Sequence, residues 1–160
     1  MSLLTTDLCD NNPDKVRIAE PIGFKDYGGQ KLFSGKIETV KCFEDNSLVR
    51  QALEQNGEGK VLVIDGGGSM RCALLGDMLG DLAVKNKWNG IIVYGCIRDS
   101  AAMAKLTLGV KALNVIPLKS NKRNEGQQNI PVRFAGVDFT PDEFVYCDED
   151  GIIVSGENLG

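Results

Sequence analysis

Two acidic residues and one arginine have types and spacing that suit a metal and anion site. Asp77 is followed, after twenty intervening residues, by the adjacent pair Arg98 and Asp99. Each acidic residue comes after a glycine-containing turn and precedes a segment with helical composition. Carboxylates bind divalent cations, and a planar guanidinium binds a carboxylate or an enolate through two hydrogen bonds. These three residues therefore predict a site for a divalent metal and an anionic substrate.

The segments around these residues predict how they are brought together. An alternation of helical and apolar segments recurs at intervals of roughly 25 residues, which is typical of β-α-β units with a parallel sheet. The segments are a helix at 81–86 and buried strands at 61–64, 90–94 and 112–116. Ligands bind at the carboxyl ends of strands in such sheets. This favours a pocket position for Arg98, although an exposed ion pair with Asp99 remains an alternative.

The last third of the chain has a different pattern. Short apolar runs at 131–134, 144–147 and 152–154 predict strands, and Asp150-Gly151 between the last two predicts a hairpin. The acidic run 148–150 is expected to form its solvated tip. The fold class is therefore α/β, with a mixed sheet of parallel core strands and additional antiparallel strands, in one domain over residues 1–160.

The same residues have simpler structural interpretations. Asp77 and Asp99 are good helix N-caps, a role worth about 1 kcal/mol. Capping and function are compatible, because the turn at Gly76 and the free N–H groups of Met78 and Leu79 would suit a substrate carboxylate. The glycine segment 66–69 is expected to form a tight turn on the pocket edge, with phosphate binding through its N–H groups as the alternative. The basic segment 119–123 is expected to be a solvated loop rather than part of a nucleic-acid-binding face.

Composition excludes several classes of site. The chain has no histidine, so a Ser-His-Asp or Cys-His centre is impossible and any metal must take oxygen ligands, which suits Mg²⁺, Mn²⁺ or Ca²⁺. A net charge of -4 disfavours a broad nucleic-acid-binding face. The five cysteines are scattered without Cys-x-x-Cys spacing. No membrane-length apolar run or secretory signal is visible, so a cytoplasmic protein is expected.

Longer segments carry a family resemblance: 41–46, 53–57, 61–69, 82–84, 88–90, 94–95, 136–137 and 151–155. In these segments the chain resembles the RraA-like family, and the resemblance covers nearly the entire chain. The family contains metal-dependent aldolases that act on 4-hydroxy-4-methyl-2-oxoglutarate and decarboxylate oxaloacetate. It also contains protein inhibitors of ribonuclease E. The enzymes are marked by Asp-x20-Arg-Asp, which Asp77, Arg98 and Asp99 match, whereas the inhibitors typically lack this acidic pair.

The resemblance implies an aldolase with a β/β/α sandwich similar to the swivelling phosphohistidine domain, assembled as a homotrimer or as paired trimers. It implies that Asp99 ligates Mg²⁺ or Mn²⁺, that Asp77 holds water at the metal, and that Arg98 lies against the keto oxygen of a small 2-keto acid. An additional acidic ligand, which some relatives take from a neighbouring subunit, has no counterpart by motif, since Glu157 does not match it. The alternatives are a regulator that binds a ribonuclease or RNA helicase, and a metabolite-binding module without turnover.

Overall fold

A mixed β-sheet flanked by short helices forms the centre of the fold. The structure is a computed structural model, and it describes residues 2–160. Its helices are α1 (Thr5–Asn11), α2 (Ser47–Leu53), α3 (Asp77–Lys85) and α4 (Ser100–Met103). Its strands are β1 (Val16–Ile18), β2 (Lys25–Asp26), β3 (Phe33–Lys41), β4 (Lys60–Asp65), β5 (Ala73–Leu75), β6 (Gly90–Ile97), β7 (Gly109–Val115), β8 (Gln127–Gln128), β9 (Val132–Phe134), β10 (Val137–Phe139), β11 (Phe144–Asp148) and β12 (Gly151–Ser155).

The main sheet has a parallel centre and antiparallel margins. Its strand order is β1-β12-β11-β3-β4-β6-β7-β2, with β5 paired to β6 and β8 paired to β3. The pairs β3-β4, β4-β6, β6-β7 and β5-β6 are parallel. The pairs at the two margins are antiparallel. The predicted mixed sheet is therefore confirmed. The predicted strands at 61–64 and 90–94 lie within β4 and β6, and the predicted strand at 112–116 overlaps β7 but extends one residue beyond its end.

Both faces of the central strands are buried. In β4, Leu62 and Ile64 join a core shared with the three helices α2, α3 and α4, whereas Val61 and Val63 join a second core on the opposite face. The second core includes Phe134 and Phe139 from the separate β9-β10 hairpin. Side chains alternate between the faces of a strand, so a run of consecutive apolar residues satisfies both cores. The β9-β10 hairpin, the main sheet and the helices therefore form three successive layers, which confirms the β/β/α sandwich.

The carboxyl-terminal hairpin pairs as predicted, but its acidic run is not wholly solvated. Strands β11 and β12 pair from Phe144↔Ser155 to Asp148↔Gly151. Asp148 is buried, and its two carboxylate oxygens accept hydrogen bonds from the backbone N–H and the hydroxyl of Thr5, each at 2.7 Å. Only Glu149 and Asp150 are exposed. Asp148 therefore attaches helix α1 to the hairpin, a long-range contact that the local sequence does not predict.

Helix α2 begins at Ser47, and its first turn is capped by Asp45. The carboxylate Oδ1 of Asp45 accepts hydrogen bonds from the backbone N–H of Ser47 at 2.9 Å and from its hydroxyl at 2.6 Å. Asn46 occupies the N-cap position but its side chain makes no capping bond, which leaves that side chain for other contacts. Within residues 2–160, no helix combines the length and the apolar character that a bilayer span requires.

Candidate functional site

A cavity of about 380 Å³ lies at the carboxyl ends of the parallel strands. Residues from the connections after β3, β5, β6 and β7 line it, because parallel strands end at the same edge of the sheet. The lining residues are Asn46, Arg50, Ala73, Leu75, Gly76, Asp77, Met78, Leu79, Arg98, Asp99, Lys119, Ser120, Asn121 and Lys122. All six predicted site residues are among them. Asp77, Arg98 and Asp99, which the sequence predicts to share a site, therefore line one cavity.

Asp99 and Asp77 are joined by a direct hydrogen bond. The carboxylate Oδ2 of Asp99 accepts the backbone N–H of Asp77 at 3.0 Å. Asp99 has left-handed backbone angles (φ 57°, ψ 43°) and precedes α4, yet its side chain makes no capping bond to that helix. It is turned instead toward the first turn of α3. This contact connects the two turns of the site and places a carboxylate at the positive end of the α3 dipole.

Gly76 makes the close approach of these turns possible. It is the N-cap of α3, so Asp77 is the first helical residue rather than the cap that the sequence suggested. A Cβ at Gly76 would lie 2.8 Å from Asp99 Oδ2 and 3.3 Å from Arg98 Nε. Since the backbone φ of Gly76 is -133°, any residue could adopt its conformation. Space, and not backbone freedom, requires a glycine there.

The first turn of α3 retains two hydrogen-bond donors. The N–H of Asp77 is taken by Asp99 and that of Gly80 by the carbonyl of Gly76. Over residues 2–160, the N–H groups of Met78 and Leu79 have no hydrogen-bond partner. Both residues line the cavity. An anion at this helix start would meet two unused donors and the positive end of the helix dipole.

Arg98 lines the cavity and forms only a weak ion pair with Asp99. Its backbone N–H donates to the carbonyl of Leu75 at 2.9 Å, which fixes the end of β6 against the end of β5. Its Nε lies 4.0 Å from Asp99 Oδ2, at the outer limit of an ion pair, and its side chain is 39% exposed. Such a contact is worth little in water, about 0–1 kcal/mol. The guanidinium is therefore available to a ligand.

The structure adds a second wall that the sequence analysis missed. Asn46, Arg50 and the segment 119–122 line the same cavity, although 119–123 was expected to be a solvated loop. The sequence does contain a signal for this position, because the segment follows the third predicted parallel strand and so belongs at the same sheet edge. The glycine turn at 66–69, by contrast, was expected on the pocket edge and lies elsewhere. Gly67 and Gly68 have positive φ as a tight turn requires, but the turn does not line the cavity.

Asn46 contributes an unpaired polar atom to this wall. Its Nδ2 donates to the carbonyl of Leu74 at 3.2 Å, while its buried Oδ1 has no hydrogen-bond partner in residues 2–160. A buried oxygen without a donor is costly, by about 1–3 kcal/mol. Such atoms are expected where a ligand or cation completes the bonding.

Asp45 and Ser120 hold the second wall in place. The Ser120 hydroxyl accepts the N–H of Asn46 at 3.1 Å, and Asp45 Oδ2 accepts the N–H groups of Arg123 and Glu125 at 2.8 and 3.0 Å. Burial opposes ionisation of Asp45, but the hydrogen bonds from Ser47, Glu125 and Arg123 prevail and lower its pKa to about 2. The loop after β7 is thus attached to the start of α2 by a buried, ionised carboxylate.

Comparison with known proteins identifies the family. The sequence model of the RraA-like family, described as Aldolase/RraA, matches residues 5–154. A protein of Aromatoleum aromaticum is 58% identical over 159 residues, which cover 99% of each chain. One of Alkalilimnicola ehrlichii is 56% identical over 159 residues, covering 99% of this chain and 98% of the relative. Both relatives are named provisionally as 4-hydroxy-4-methyl-2-oxoglutarate aldolases.

Two solved structures share the fold almost completely. One, from Geobacillus kaustophilus, is named S-adenosylmethionine:2-dimethylmenaquinone methyltransferase; it has a TM-score of 0.95 at 46% identity and covers 98% of this chain and 96% of that one. The other, the RNA-processing inhibitor RraA from Thermus thermophilis, has a TM-score of 0.95 at 41% identity and covers 100% and 96%. These names differ although the folds agree, so the fold alone does not select an activity. The sequence matches nevertheless show that this chain belongs to the RraA-like family.

Proposed function

We propose that this chain is a divalent-metal-dependent aldolase, of the class II type, that cleaves 4-hydroxy-4-methyl-2-oxoglutarate to pyruvate and also decarboxylates oxaloacetate. The observation that carries the proposal is the convergence of Asp77, Arg98 and Asp99 on one cavity. The provisional aldolase names of relatives at 55–58% identity support the same reaction class. We further propose that it is cytoplasmic and works as a homotrimer, and sedimentation of the purified protein tests the trimeric state.

The donor set fits Mg²⁺ or Mn²⁺. Within residues 2–160, no group of three or more acidic, cysteine or histidine side chains could enclose a metal. Two acidic residues, Asp99 and Asp77, line the cavity together with Asn46, whose buried Oδ1 has no hydrogen-bond partner in residues 2–160. Few protein ligands suit Mg²⁺, because it usually keeps several waters and takes one or two carboxylates. Asp99 would hold the ion directly, and Asp77 would hold water beside it. The ion would supply Lewis-acid stabilisation of negative charge on the substrate.

The remaining groups bind and polarise the substrate. The free N–H groups of Met78 and Leu79 donate hydrogen bonds to the carboxylate next to the keto group, at the positive end of α3. Arg98 lies against the keto oxygen, where negative charge increases as the C3–C4 bond breaks. A donor in this position typically contributes about 2.7–4 kcal/mol to the transition state.

Both reactions pass through one enolate. In the aldol cleavage the C4 hydroxyl loses its proton, the C3–C4 bond breaks, and its electron pair moves to the C2 oxygen. The C4 fragment leaves as one pyruvate, and protonation of the enolate at C3 yields the second. Oxaloacetate loses CO₂ to form the same enolate. Because the chain contains no histidine, water held by Asp77 carries the protons.

The decisive experiment is a coupled pyruvate assay on the purified protein. EDTA should abolish pyruvate release from both substrates, and Mg²⁺ or Mn²⁺ should restore it. Arg98→Ala should lower kcat at least about a hundredfold. Arg133→Ala is the matched control, because Arg133 forms an exposed ion pair with Asp138 away from the cavity. Full activity of Arg98→Ala, or activity indifferent to EDTA, would reject the proposal.

A regulatory function is the second candidate, and a different surface favours it. A groove of about 650 Å³ is lined by apolar residues that include Ile18 and Phe24. Four exposed carboxylates also line it: Asp10, Glu20, Glu149 and Asp150. The name of the Thermus relative indicates inhibition of RNA processing. A pull-down with a ribonuclease or RNA helicase that Asp77→Ala and Asp99→Ala leave unchanged would support this function.

A further inference from the structure

We propose that Lys119, Lys122 and Arg50 form a cationic subsite that binds the remote carboxylate of a 2-oxo dicarboxylate, and that this subsite favours aldol cleavage over decarboxylation. The inference rests on the proposed function and extends it to substrate selection. It assigns a role to the second wall of the cavity, which the aldolase motif does not include.

The charges lining the cavity do not balance. Four cations, Arg50, Arg98, Lys119 and Lys122, share it with only two carboxylates, Asp77 and Asp99. A bound divalent cation would neutralise the two carboxylates and leave the four cations uncompensated. Binding one substrate carboxylate and the keto oxygen occupies only Arg98 and the α3 donors. The excess positive charge therefore matches a second anionic group on the substrate.

The cations of the second wall are free to bind a ligand. Over residues 2–160, neither Lys119 nor Lys122 has a carboxylate within 4.0 Å. Arg50 Nε lies 3.7 Å from Glu54 Oε2, but both side chains are about half exposed, so water screens this pair. An exposed cation without a partner is common on a protein surface. Solvation alone does not explain why Lys119, Lys122 and Arg50 all lie on the wall of the cavity that contains the proposed reaction site.

The backbone that carries these lysines is fixed. Between them, Ser120 is buried and accepts the N–H of Asn46, and the N–H of Asn121 donates to the carbonyl of Glu44 at 3.2 Å. Just beyond Lys122, Asp45 accepts the N–H of Arg123. Anchored on both sides, the lysine α-carbons are held at the cavity before a ligand arrives. Positive charge placed in advance costs less reorganisation on binding.

The two reactions should respond to this charge in opposite ways. In aldol cleavage the remote carboxylate stays ionised and departs on the pyruvate formed from C4, so a cation beside it stabilises substrate and transition state alike. In decarboxylation the remote carboxylate is itself consumed: the C3–C4 bond breaks, the electron pair moves to the C2 oxygen, and neutral CO₂ leaves. A cation beside that carboxylate stabilises the substrate more than the transition state and slows the step.

Enzyme kinetics on Lys119→Gln, Lys122→Gln and the double variant test the proposal. With Mg²⁺ present, we expect the double variant to raise KM for 4-hydroxy-4-methyl-2-oxoglutarate at least about tenfold, while kcat for oxaloacetate rises. Lys122→Arg should retain most of the unsubstituted KM. Lys105→Gln is the control, because Lys105 is exposed and does not line the cavity. Equal losses in both reactions, or no change in KM, would overturn the proposal.

A binding measurement separates this inference from the proposed function. The probes are 2-oxoglutarate, which has the substrate's main chain and both carboxylates but lacks the C4 methyl group and the C4 hydroxyl needed for cleavage, and 2-oxovalerate, which has the same chain length without the remote carboxylate. Calorimetry should show at least about tenfold preference for 2-oxoglutarate, lost in the double variant. Preference without pyruvate formation from any substrate would reject the aldolase but retain the subsite. Equal binding of the two probes would reject the subsite even if the enzyme is active.

Discussion

The carboxylate of Asp99 accepts the backbone N–H of Asp77 at 3.0 Å, so two residues that are 22 positions apart form one structural unit. The bond joins the turn after β6 to the first turn of α3. It uses one oxygen of Asp99, Oδ2, and its other oxygen carries no hydrogen bond from residues 2–160. Asp99 is therefore both a support for the site and its proposed metal ligand, and these roles can be separated by substitution.

Asp99→Asn should separate them. The amide oxygen can still accept the Asp77 N–H, and asparagine tolerates the left-handed backbone at this position. We expect the free energy of unfolding to change by less than about 0.5 kcal/mol. We expect kcat to fall at least about a hundredfold, because the charge that would hold the cation is gone. Denaturant unfolding and the pyruvate assay measure the two effects. Asp99→Ala should lose stability as well, by about 1–2 kcal/mol. An active Asp99→Asn enzyme would show that Asp99 only supports the turn.

Gly76→Ala should damage the site without unfolding the protein. The added Cβ would lie 2.8 Å from Asp99 Oδ2, so that carboxylate must move, while the backbone angles of Gly76 suit alanine. A displaced ligand typically costs about tenfold to a hundredfold in rate. Gly156→Ala is the control, since a Cβ there meets its nearest atom at 3.6 Å. Unchanged kcat in Gly76→Ala would mean that the position of Asp99 is not critical.

Asp45 should make stability depend on pH at the acidic end. Its pKa is lowered to about 2 in the folded protein, so the unfolded chain binds a proton first as the pH falls. The stabilisation is complete above the ordinary carboxyl pKa near 4 and is lost as the pH falls to about 2. At about 1.4 kcal/mol per pKa unit, the loss is roughly 2 kcal/mol. Urea unfolding at pH 4 and pH 2 should show that the free energy of unfolding falls more steeply with pH in the unsubstituted protein than in Asp45→Asn. Parallel profiles would contradict the assignment.

Gly57→Ala should destabilise the helix side of the core. A Cβ at Gly57 would overlap the ring of Trp88, which is buried and donates through Nε1 to the carbonyl of Gln55 at 3.2 Å. Overpacking of this kind costs about 1–3 kcal/mol. Trp88 is the single tryptophan of the chain, so its fluorescence reports the transition directly. Gly156→Ala again serves as the control, and an unfolding midpoint equal to that control would contradict this packing.

Local sequence patterns were sufficient to predict the central elements. The apolar runs within β4 and β6 are long enough to bury both faces of a strand, and Asp150-Gly151 is a strong turn signal, so burial and turn chemistry determined these elements locally. The short β5 could not be predicted in this way. Its three residues form a strand because they pair with the end of β6, which is a tertiary contact.

The sequence by itself determined which residues could perform the chemistry. The absence of histidine required oxygen ligands, and the spacing of Asp77, Arg98 and Asp99 across a β-α-β unit placed them at one sheet edge. Only the tertiary structure decided which other groups share that cavity. Asn46, Arg50 and Lys119–Lys122 reach it because parallel strands end at one edge and because the buried carboxylate of Asp45 attaches the loop after β7 to α2. Contacts between residues nearly 80 positions apart leave no periodic trace in the sequence, and so the second wall of the site became visible only in the fold.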